Sequence, residues 1–199
     1  MSHPTPSHRP PRHFNLVARV LHWSMALAIL AMLFVGTGMV ASLSLRPLLL
    51  DLHRPLGIAI LLLAIVRLAN RLRHAPPSLP ADLSAIQVVA ARASHGLLYA
   101  LMFAMPLVGW GMLSAGGYPV AMFEGFNLPA IAPHDPAVYA VLRDAHAWLA
   151  RLLFVTVLAH VAAALHHAWV RRDGVFAGMA HGPGTAGTAA HTAGGEPGD

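Results

Sequence analysis

The sequence predicts an all-α membrane protein, a bundle of four transmembrane helices that run alternately up and down. Hydrophobic residues make up 56% of the 199 positions and charged residues only 11%, whereas a soluble domain carries about 25% charged residues. Four apolar runs are each long enough to cross the hydrocarbon core of a bilayer, which takes about 20 helical residues. Polar or turn-rich segments separate these runs, so each run is expected to be a separate span.

The spans are predicted at 15–41, at about 52–72, at about 88–114, where Pro106 is expected to bend the helix, and at 142–171. Residues 42–51 are interpreted as a loop. Residues 115–141 hold two adjacent glycines and four prolines, and we expect a short interfacial helix or a lid there. The flanks 1–13 and 174–199 are predicted to be disordered tails, which leaves 14–173 as the membrane domain.

The basic residues indicate how the helices are oriented. The formal charge is +5, and all thirteen basic residues are arginines. They lie mostly at the ends of the apolar runs, which favours a membrane protein over one that binds nucleic acid. The arginines are concentrated in the N-terminal flank, the second connection and the C-terminal flank. By the positive-inside rule, both termini are predicted to be cytoplasmic.

Two histidines of the fourth helix indicate a function. His146 and His160 are 14 residues apart, and a helix rises 1.5 Å and turns about 100° per residue, so both rings lie on nearly one face about 21 Å apart. Ionisable groups inside a membrane are costly and usually functional. The alternative is that both histidines only form hydrogen bonds with neighbouring helices.

The predicted orientation assigns each histidine to a depth. His22 then lies near the inner face, level with His160, and His53 lies near the outer face, level with His146. Each pair comes from two different helices, as bis-histidine haem ligation in a bundle requires. The chain has no cysteine, which excludes disulfides, iron–sulfur clusters and covalent haem attachment. Any haem is therefore expected to be held noncovalently.

Further residues fit two haem levels. Gly36 lies 14 residues after His22 and would let a porphyrin approach the backbone. Arg67 lies at the inner level and would neutralise a haem propionate, as would Arg19, one turn before His22. Gly57, one turn after the histidine of the second helix, clears space. Taken singly, each has another interpretation, as a helix-packing glycine or as an arginine that reaches the lipid headgroups.

A second polar group is expected at the inner level. His95 and Tyr99 lie one turn apart on one helical face, and His167 lies two turns beyond His160. Together they suit a quinone headgroup, which needs hydrogen-bond donors and protons, although His95 also competes as a haem ligand and His167 could be only interfacial. Arg151 is expected to face the interior between the haem levels and to bond a propionate, a carbonyl or water. Its alternative role is purely structural.

Four motifs carry a family resemblance over residues 13–173. They are RVLHW, LHRPLGIAILLLAIVRLANR, SHGLLYALMFAMPLVGWGM and DAHAWLARLLFVTVLAHVAAALHH, one in each predicted helix. The sequence resembles the bacterial cytochrome b561 family. The resemblance implies a protein of the bacterial inner membrane that holds two haem b groups, one bound by His22 and His160 and the other by His53 and His146.

The resemblance also implies an activity. Similar members are superoxide oxidases, superoxide:ubiquinone oxidoreductases in which an outer haem receives electrons and an inner haem passes them to ubiquinone. Arg46, Arg54 and Arg143 are available to attract the superoxide anion. The alternative is a cytochrome b subunit that links a periplasmic dehydrogenase or hydrogenase to the quinone pool and docks through 115–141. A histidine-rich metal transporter is less favoured, because no carboxylate lies in the middle of a predicted helix.

Overall fold

A computed structural model describes residues 14–74 and 83–180, and four of its helices are long and apolar enough to cross a membrane. The prediction of an all-α membrane bundle is confirmed. The predicted tails at 1–13 and 181–199 lie outside the described residues. The elements are α1 (Leu16–Ala41), α2 (Arg46–Arg73), α3 (Ala85–Ala115), β1 (Val120–Phe123), β2 (Phe126–Leu128), α4 (Pro136–Leu165), a π-helical turn (His166–Arg171) and α5 (Val175–Ala180).

Side chains cap three of the long helices. The Asn15 side chain accepts a hydrogen bond from the backbone of the first turn of α1. Ser84 and Gln87 form a reciprocal capping box at the start of α3. The Asp135 carboxylate accepts two backbone N–H bonds at the start of α4, where Pro136 occupies the first turn. These groups satisfy donors that a helix N-terminus leaves unpaired, and they define where the spans begin.

Two helices begin earlier than the apolar pattern predicts. Helix α2 starts at Arg46 rather than near 52, so that only residues 42–45 connect it to α1, and α4 starts at Pro136 rather than at 142. Both first turns contain proline, which is favoured there because a first-turn N–H has no partner within the helix. Because these first turns are partly polar, hydropathy alone predicts that they belong to the preceding loops.

The expectation of a short interfacial helix at 115–141 is wrong, because β1 and β2 form an antiparallel hairpin. Gly125 closes the hairpin with a φ of +78°, a conformation that glycine adopts without strain. The rings of Phe123 and Phe126 stack beside this turn, with centroids 5.0 Å apart. Val120 is buried where β1 packs against α2, so the hairpin covers the start of that helix.

Hydrogen bonds attach the rest of this connection to the end of α3. The Trp110 indole donates to the Pro129 carbonyl at 2.8 Å. The Ser114 hydroxyl accepts from the Ile131 N–H at 3.1 Å, and the Asp135 N–H donates to the Ala115 carbonyl. The end of α3 and the start of α4 are thereby held together.

The bundle has two ends that bear different residues. The terminal end is where α1 and α3 begin and α2 and α4 finish; the loop end carries the α1–α2 turn and the hairpin. Between the two ends lies a core of Met25, Ile29, Ile60, Ala64 and Met102. Large apolar side chains cover the outside, as expected of a lipid-facing surface, and include Phe34, Leu62, Val89 and Phe154.

The C-terminal part of the described chain differs from the prediction. Residues 175–180, which we expected to begin a disordered tail, form α5. The Trp23 indole of α1 donates a hydrogen bond to the Met179 carbonyl at 3.3 Å, which ties α5 to the bundle. The folded part therefore continues past residue 173, because contacts with the π-helical turn and α4, and the hydrogen bond from Trp23, stabilise a segment too short to be helical alone.

Ala64 offers a test of this packing. Its side chain is fully buried between helices, so Ala64→Leu would force extra volume into the core, which costs about 1–3 kcal/mol. We expect a lower unfolding temperature in detergent. Ala59→Leu is the matched control, because Ala59 lies on the same helix and is exposed. Equal unfolding temperatures for the two variants would contradict the packing of α2.

Candidate functional site

Two pairs of histidines face each other inside the bundle. At the loop end, the ring centroids of His53 on α2 and His146 on α4 are 6.1 Å apart. At the terminal end, those of His22 on α1 and His160 on α4 are 6.3 Å apart. Two imidazoles on opposite sides of one metal ion have centroids roughly 6 Å apart, because each metal–nitrogen bond is about 2 Å long. Both pairs have this spacing.

Unpaired polar atoms accompany both pairs. In the described part of the chain, the buried side-chain nitrogens that lack a hydrogen-bond partner belong to Arg19, His53, Arg54, Arg67 and His146. A buried polar group without a partner is costly, above all in a membrane. All of these groups are histidines or arginines, which suit the iron and the propionates of haem. The residues present therefore fit this group at both ends.

The terminal end holds a third imidazole and a tyrosine between two arginines. The ring of His95 lies 5.6 Å from that of His160, closer than the ring of the α1 histidine. The Arg67 Nε donates to the Tyr99 hydroxyl at 3.2 Å, and the Arg67 and Arg71 guanidinium groups lie 5.9 and 5.7 Å from the centre of the Tyr99 ring. His95 therefore lies beside the terminal-end pair, and Tyr99 contacts the two arginines.

The two glycines chosen from the sequence differ in their surroundings. A Cβ on Gly36 would lie 4.0 Å from His53 Cε1, so this glycine is beside the loop-end pair as expected. A Cβ on Gly57 would lie 3.7 Å from Met32 Cε, and this glycine therefore faces α1. Both glycines lie where two helices meet. Of the two, only Gly36 has a histidine within 4.0 Å of the added Cβ.

Sequence reasoning missed Gly109. A Cβ on this α3 residue would lie 3.1 Å from His146 Cε1 and 3.4 Å from His146 Nδ1, closer than most real contacts. The 14-residue spacing starts from a paired histidine on α1, α2 or α4, whereas Gly109 lies on α3, which carries none of these four histidines. Its signal was the GWG triplet in the third-helix motif.

Arg54 is also more buried than the sequence indicated. We expected only a cation that attracts an anion, but its side chain is 15% exposed and its Nη1 lies 3.7 Å from the Asp51 carboxylate. Its Nε is buried without a hydrogen-bond partner. Arg54 directly follows His53, so the loop end has a buried cation next to a candidate ligand.

The interior placement of Arg151 is wrong. This side chain is exposed on α4, and its guanidinium carbon lies 4.7 Å from the centre of the Trp148 ring. Arg151 follows His146 by five residues and precedes His160 by nine. At about 100° per residue, its side chain is rotated by about 140° from the first ring and by about 180° from the second. Arg151 therefore points away from both pairs. The cation–π contact and the flexible stem stabilise it there.

His167 is separated from the other quinone candidates. Its Nδ1 donates to the Asp173 Oδ2 at 2.6 Å, and it lines a cavity with Arg172 and Phe176. Asp173 was not identified from the sequence, because it lies beyond the last predicted span.

The fold and these pairs define a class of protein: a four-helix membrane bundle with paired imidazoles at two levels, the architecture of membrane-bound cytochromes of b type.

Comparison with known proteins identifies the family. A family model described as prokaryotic cytochrome b561 matches residues 13–182, and the chain belongs to this family. It is therefore a multi-pass bacterial membrane protein of electron transfer, and the family implies haem b binding. The chain is 29% identical to cytochrome b561 homolog 2 of Escherichia coli (strain K12) over 170 residues, which cover 82% of this chain and 88% of the relative.

Two further relatives are similar. Cytochrome b561 homolog 1 of Escherichia coli (strain K12) is 28% identical over 123 residues, which cover 62% of this chain and 69% of the relative. A protein of Yersinia pestis named probable superoxide oxidase CybB is 29% identical over 154 residues, which cover 77% of this chain and 87% of that protein.

The space beside His146 can be tested through Gly109. A leucine at this position would displace the imidazole ring, so Gly109→Leu should lower the haem bound per chain, as measured from the pyridine haemochrome spectrum. Gly96→Leu is the matched control on the same helix, because a Cβ there would meet nothing within 4 Å. An unchanged haem content in Gly109→Leu would contradict a ligand role for His146.

Proposed function

We propose that the chain binds two haem b groups, one between His22 and His160 and the other between His53 and His146. The observation that supports this proposal is the ring spacing of 6.3 and 6.1 Å, with each pair drawn from two helices. Haem bound there would supply reversible one-electron chemistry. The core between the two ends keeps water away from the path that joins them.

The buried arginines are proposed to neutralise the propionates. Arg19 and Arg67 have unpaired buried nitrogens at the terminal end, and Arg54 has one at the loop end. Hydrogen bonds from guanidinium to carboxylate are strong because both partners are charged. Gly36, beside His53, would give the porphyrin access to the helix backbone, whereas Gly57 faces Met32 of α1 and is not assigned to this set. Arg151 is no longer assigned to this set, because it faces outward.

The orientation is proposed from the basic residues. The terminal end bears Arg19, Arg71, Arg171 and Arg172, and cytoplasmic segments carry the excess of arginine in bacterial membrane proteins. Both termini are therefore cytoplasmic in this proposal, and the loop end faces the periplasm.

The proposed reaction is superoxide:ubiquinone oxidoreduction. Two superoxide anions lose one electron each and become dioxygen, and one ubiquinone takes up two electrons and two protons to become ubiquinol. A relative bears the name of a probable superoxide oxidase. Arg46, Arg54 and Arg143 lie at the loop end, where their positive charge would raise the local concentration of a small anion.

Quinone reduction is proposed at the terminal end, where the groups expected from the sequence divide in two. His95 lies beside His160, Tyr99 accepts a hydrogen bond from Arg67, and His167 lines a cavity formed with α5. Both positions offer donors to a quinone oxygen, and an imidazole can deliver a proton near neutral pH. Proton uptake would occur from the cytoplasmic side.

A second candidate function is a cytochrome b subunit that carries electrons between a periplasmic dehydrogenase or hydrogenase and quinone. The observation that favours it is the hairpin, where Phe123 is 70% exposed and Phe126 46% exposed. An exposed aromatic pair is typical of a surface that binds a protein partner. In this function superoxide would not reduce the purified protein.

The ligand pairs make a prediction about haem content. His146→Ala should remove the loop-end haem and retain the other, and His160→Ala should do the reverse, because each substitution removes one of the two imidazoles that would hold the iron. Haem per chain would fall from two to one in both variants, with different residual spectra. Two haems retained in either variant would contradict the pairing.

The reaction is tested in two half-reactions. Superoxide generated in solution should reduce the purified protein, and a soluble ubiquinone analogue should then reoxidise it, both followed by haem absorbance. Arg143→Gln should slow the first half-reaction and weaken its dependence on salt, because an exposed loop-end cation that attracts the anion is lost. Arg151→Gln is the control, because that arginine points away from the loop-end pair. Reoxidation by quinone without reduction by superoxide would favour the carrier subunit.

A further inference from the structure

A cavity of about 220 Å³ lies at the terminal end, beyond the last turn of α4. Its lining combines apolar walls with one imidazole and one guanidinium group: His167, Ala168, Arg172, Gly174, Phe176 and Ala177. The hydrogen bond from Trp23 to α5 holds the far wall against α1, one residue from His22. The cavity lies at the same end of the bundle as the terminal-end histidine pair and has the mixture of apolar and polar groups typical of ligand sites.

One wall of the cavity is held by a compact ionic cluster. The Asp173 carboxylate accepts a hydrogen bond from His167 Nδ1 at 2.6 Å and from Arg171 Nε at 3.0 Å through the same oxygen. Its other oxygen accepts from the Val175 N–H at 3.2 Å. The side chains of His167, Arg171 and Asp173 are 22%, 19% and 11% exposed. All three are therefore largely withdrawn from water.

The backbone takes an uncommon path to form this cluster. The last turn of α4 widens to a π-helix, and Arg172 adopts a left-handed conformation with φ +52°. The Arg172 N–H donates to the His167 carbonyl at 2.9 Å. A non-glycine residue in this conformation persists only where its surroundings require it. The reversal at Arg172 brings the Asp173 carboxylate back onto His167.

We propose that Asp173 is a positioning residue that holds His167 as the proton donor to a quinone reduced in this cavity. The inference rests on the proposed quinone reduction. Because the carboxylate accepts from Nδ1–H, the imidazole is held in one tautomer and its Nε2 remains available to the ligand. The carboxylate also stabilises the imidazolium that forms when Nε2 takes up a proton.

The proton step balances without another reagent. The quinone receives two electrons that originate from two superoxide anions, and its oxygen takes a proton from His167 Nε2 as the N–H bond breaks. The neutral imidazole then regains a proton from water at the membrane surface. A second proton follows by the same route and completes the quinol.

Charges around His167 come from its own segment. The His166 ring lies 6.0 Å away, and Arg171 and Arg172 add two positive charges. Helix α5, which packs against this turn, has no titratable side chain in Val175–Ala180, and α4 contributes His160, six residues before the π-helix begins. Asp173 is thus the negative charge that faces His167 in the described chain.

Asp173 has to be ionised to act in this way. Burial raises the pKa of the Asp173 carboxyl, but the hydrogen bonds from His167, the Val175 N–H and Arg171 outweigh burial and hold the pKa below its ordinary value. A lowered pKa means that the carboxylate loses its charge only under more acidic conditions than an exposed aspartate would. It therefore remains ionised around neutral pH.

The kinetic test uses Asp173→Asn in lipid nanodiscs. The haem-loaded protein is reduced chemically and mixed with a short-chain ubiquinone, and reoxidation is followed between about pH 5.5 and 8.5, the range in which imidazoles titrate. At saturating quinone above neutral pH we expect a rate roughly 10- to 100-fold lower, within the usual contribution of a proton donor. The fall in rate with rising pH should begin at lower pH, because the imidazolium has lost its carboxylate. Asp173→Glu should restore much of the rate.

Three controls separate positioning from a structural effect. Asp144→Asn removes an exposed carboxylate at the loop end and should change nothing. In a His167→Gln background, Asp173→Asn should cause no further loss, because the carboxylate acts through the imidazole. Nitrogen-15 histidine NMR, with His167→Gln to assign the signal, should show Nδ1–H in the wild type and a mixture of tautomers in Asp173→Asn.

The outcomes distinguish this inference from the proposed function. If the reduced wild-type protein is not reoxidised by quinone at any pH, the proposed function fails. If it is reoxidised but Asp173→Asn keeps the wild-type rate and pH profile, the inference alone is overturned. Additive losses in the double variant, or an unchanged tautomer, would also overturn it. A dependence on His95 with none on His167 would place the headgroup between His95 and Tyr99 and would contradict the cavity.

Discussion

The rest of the structure depends on the cost of burying imidazole and guanidinium groups in a bilayer. Such groups are tolerated where they face partners inside the protein. On α4, His146 and His160 meet this condition because 14 residues bring a helix back to nearly the same face, towards α2 at one level and α1 at the other. The buried core around Ala64 and Met102 lies between the levels. One helix thus fixes where both pairs can form.

How much of the site could be predicted from the sequence follows from what helical periodicity determines. Periodicity places residues of one helix relative to each other, and the alternating direction of the spans predicted which histidines of different helices lie at one level. The same rule, applied to Arg151, puts it on the outer side of α4; the expectation of an interior position had considered depth without rotation. Periodicity could not predict that Gly109 lies against His146, because this contact depends on how closely α3 approaches α4.

The segments beyond the spans were harder to predict for a physical reason. The hairpin at 120–128 depends on packing against α2 and on hydrogen bonds such as that from Trp110 to Pro129, and α5 depends on Trp23, 156 residues away from Met179. Neither short segment has a strong pattern of its own. Local propensity is weak over six or seven residues, so contacts between distant parts of the chain determine these structures.

The charges at the terminal end bear on the two functions proposed for that end, haem binding and quinone reduction. In the part of the terminal end that the structure describes, the carboxylate is that of Asp173. Its oxygens already accept hydrogen bonds from His167, Arg171 and the Val175 N–H. It cannot also neutralise Arg19 and Arg67, of which the buried Nε and the buried Nη1, respectively, have no hydrogen-bond partner in the described chain. A ligand with its own carboxylates would satisfy those arginines at low cost, as haem propionates do. The carboxylate of the chain is then committed to the imidazole at the cavity, which separates the binding of the electron carrier from the supply of protons.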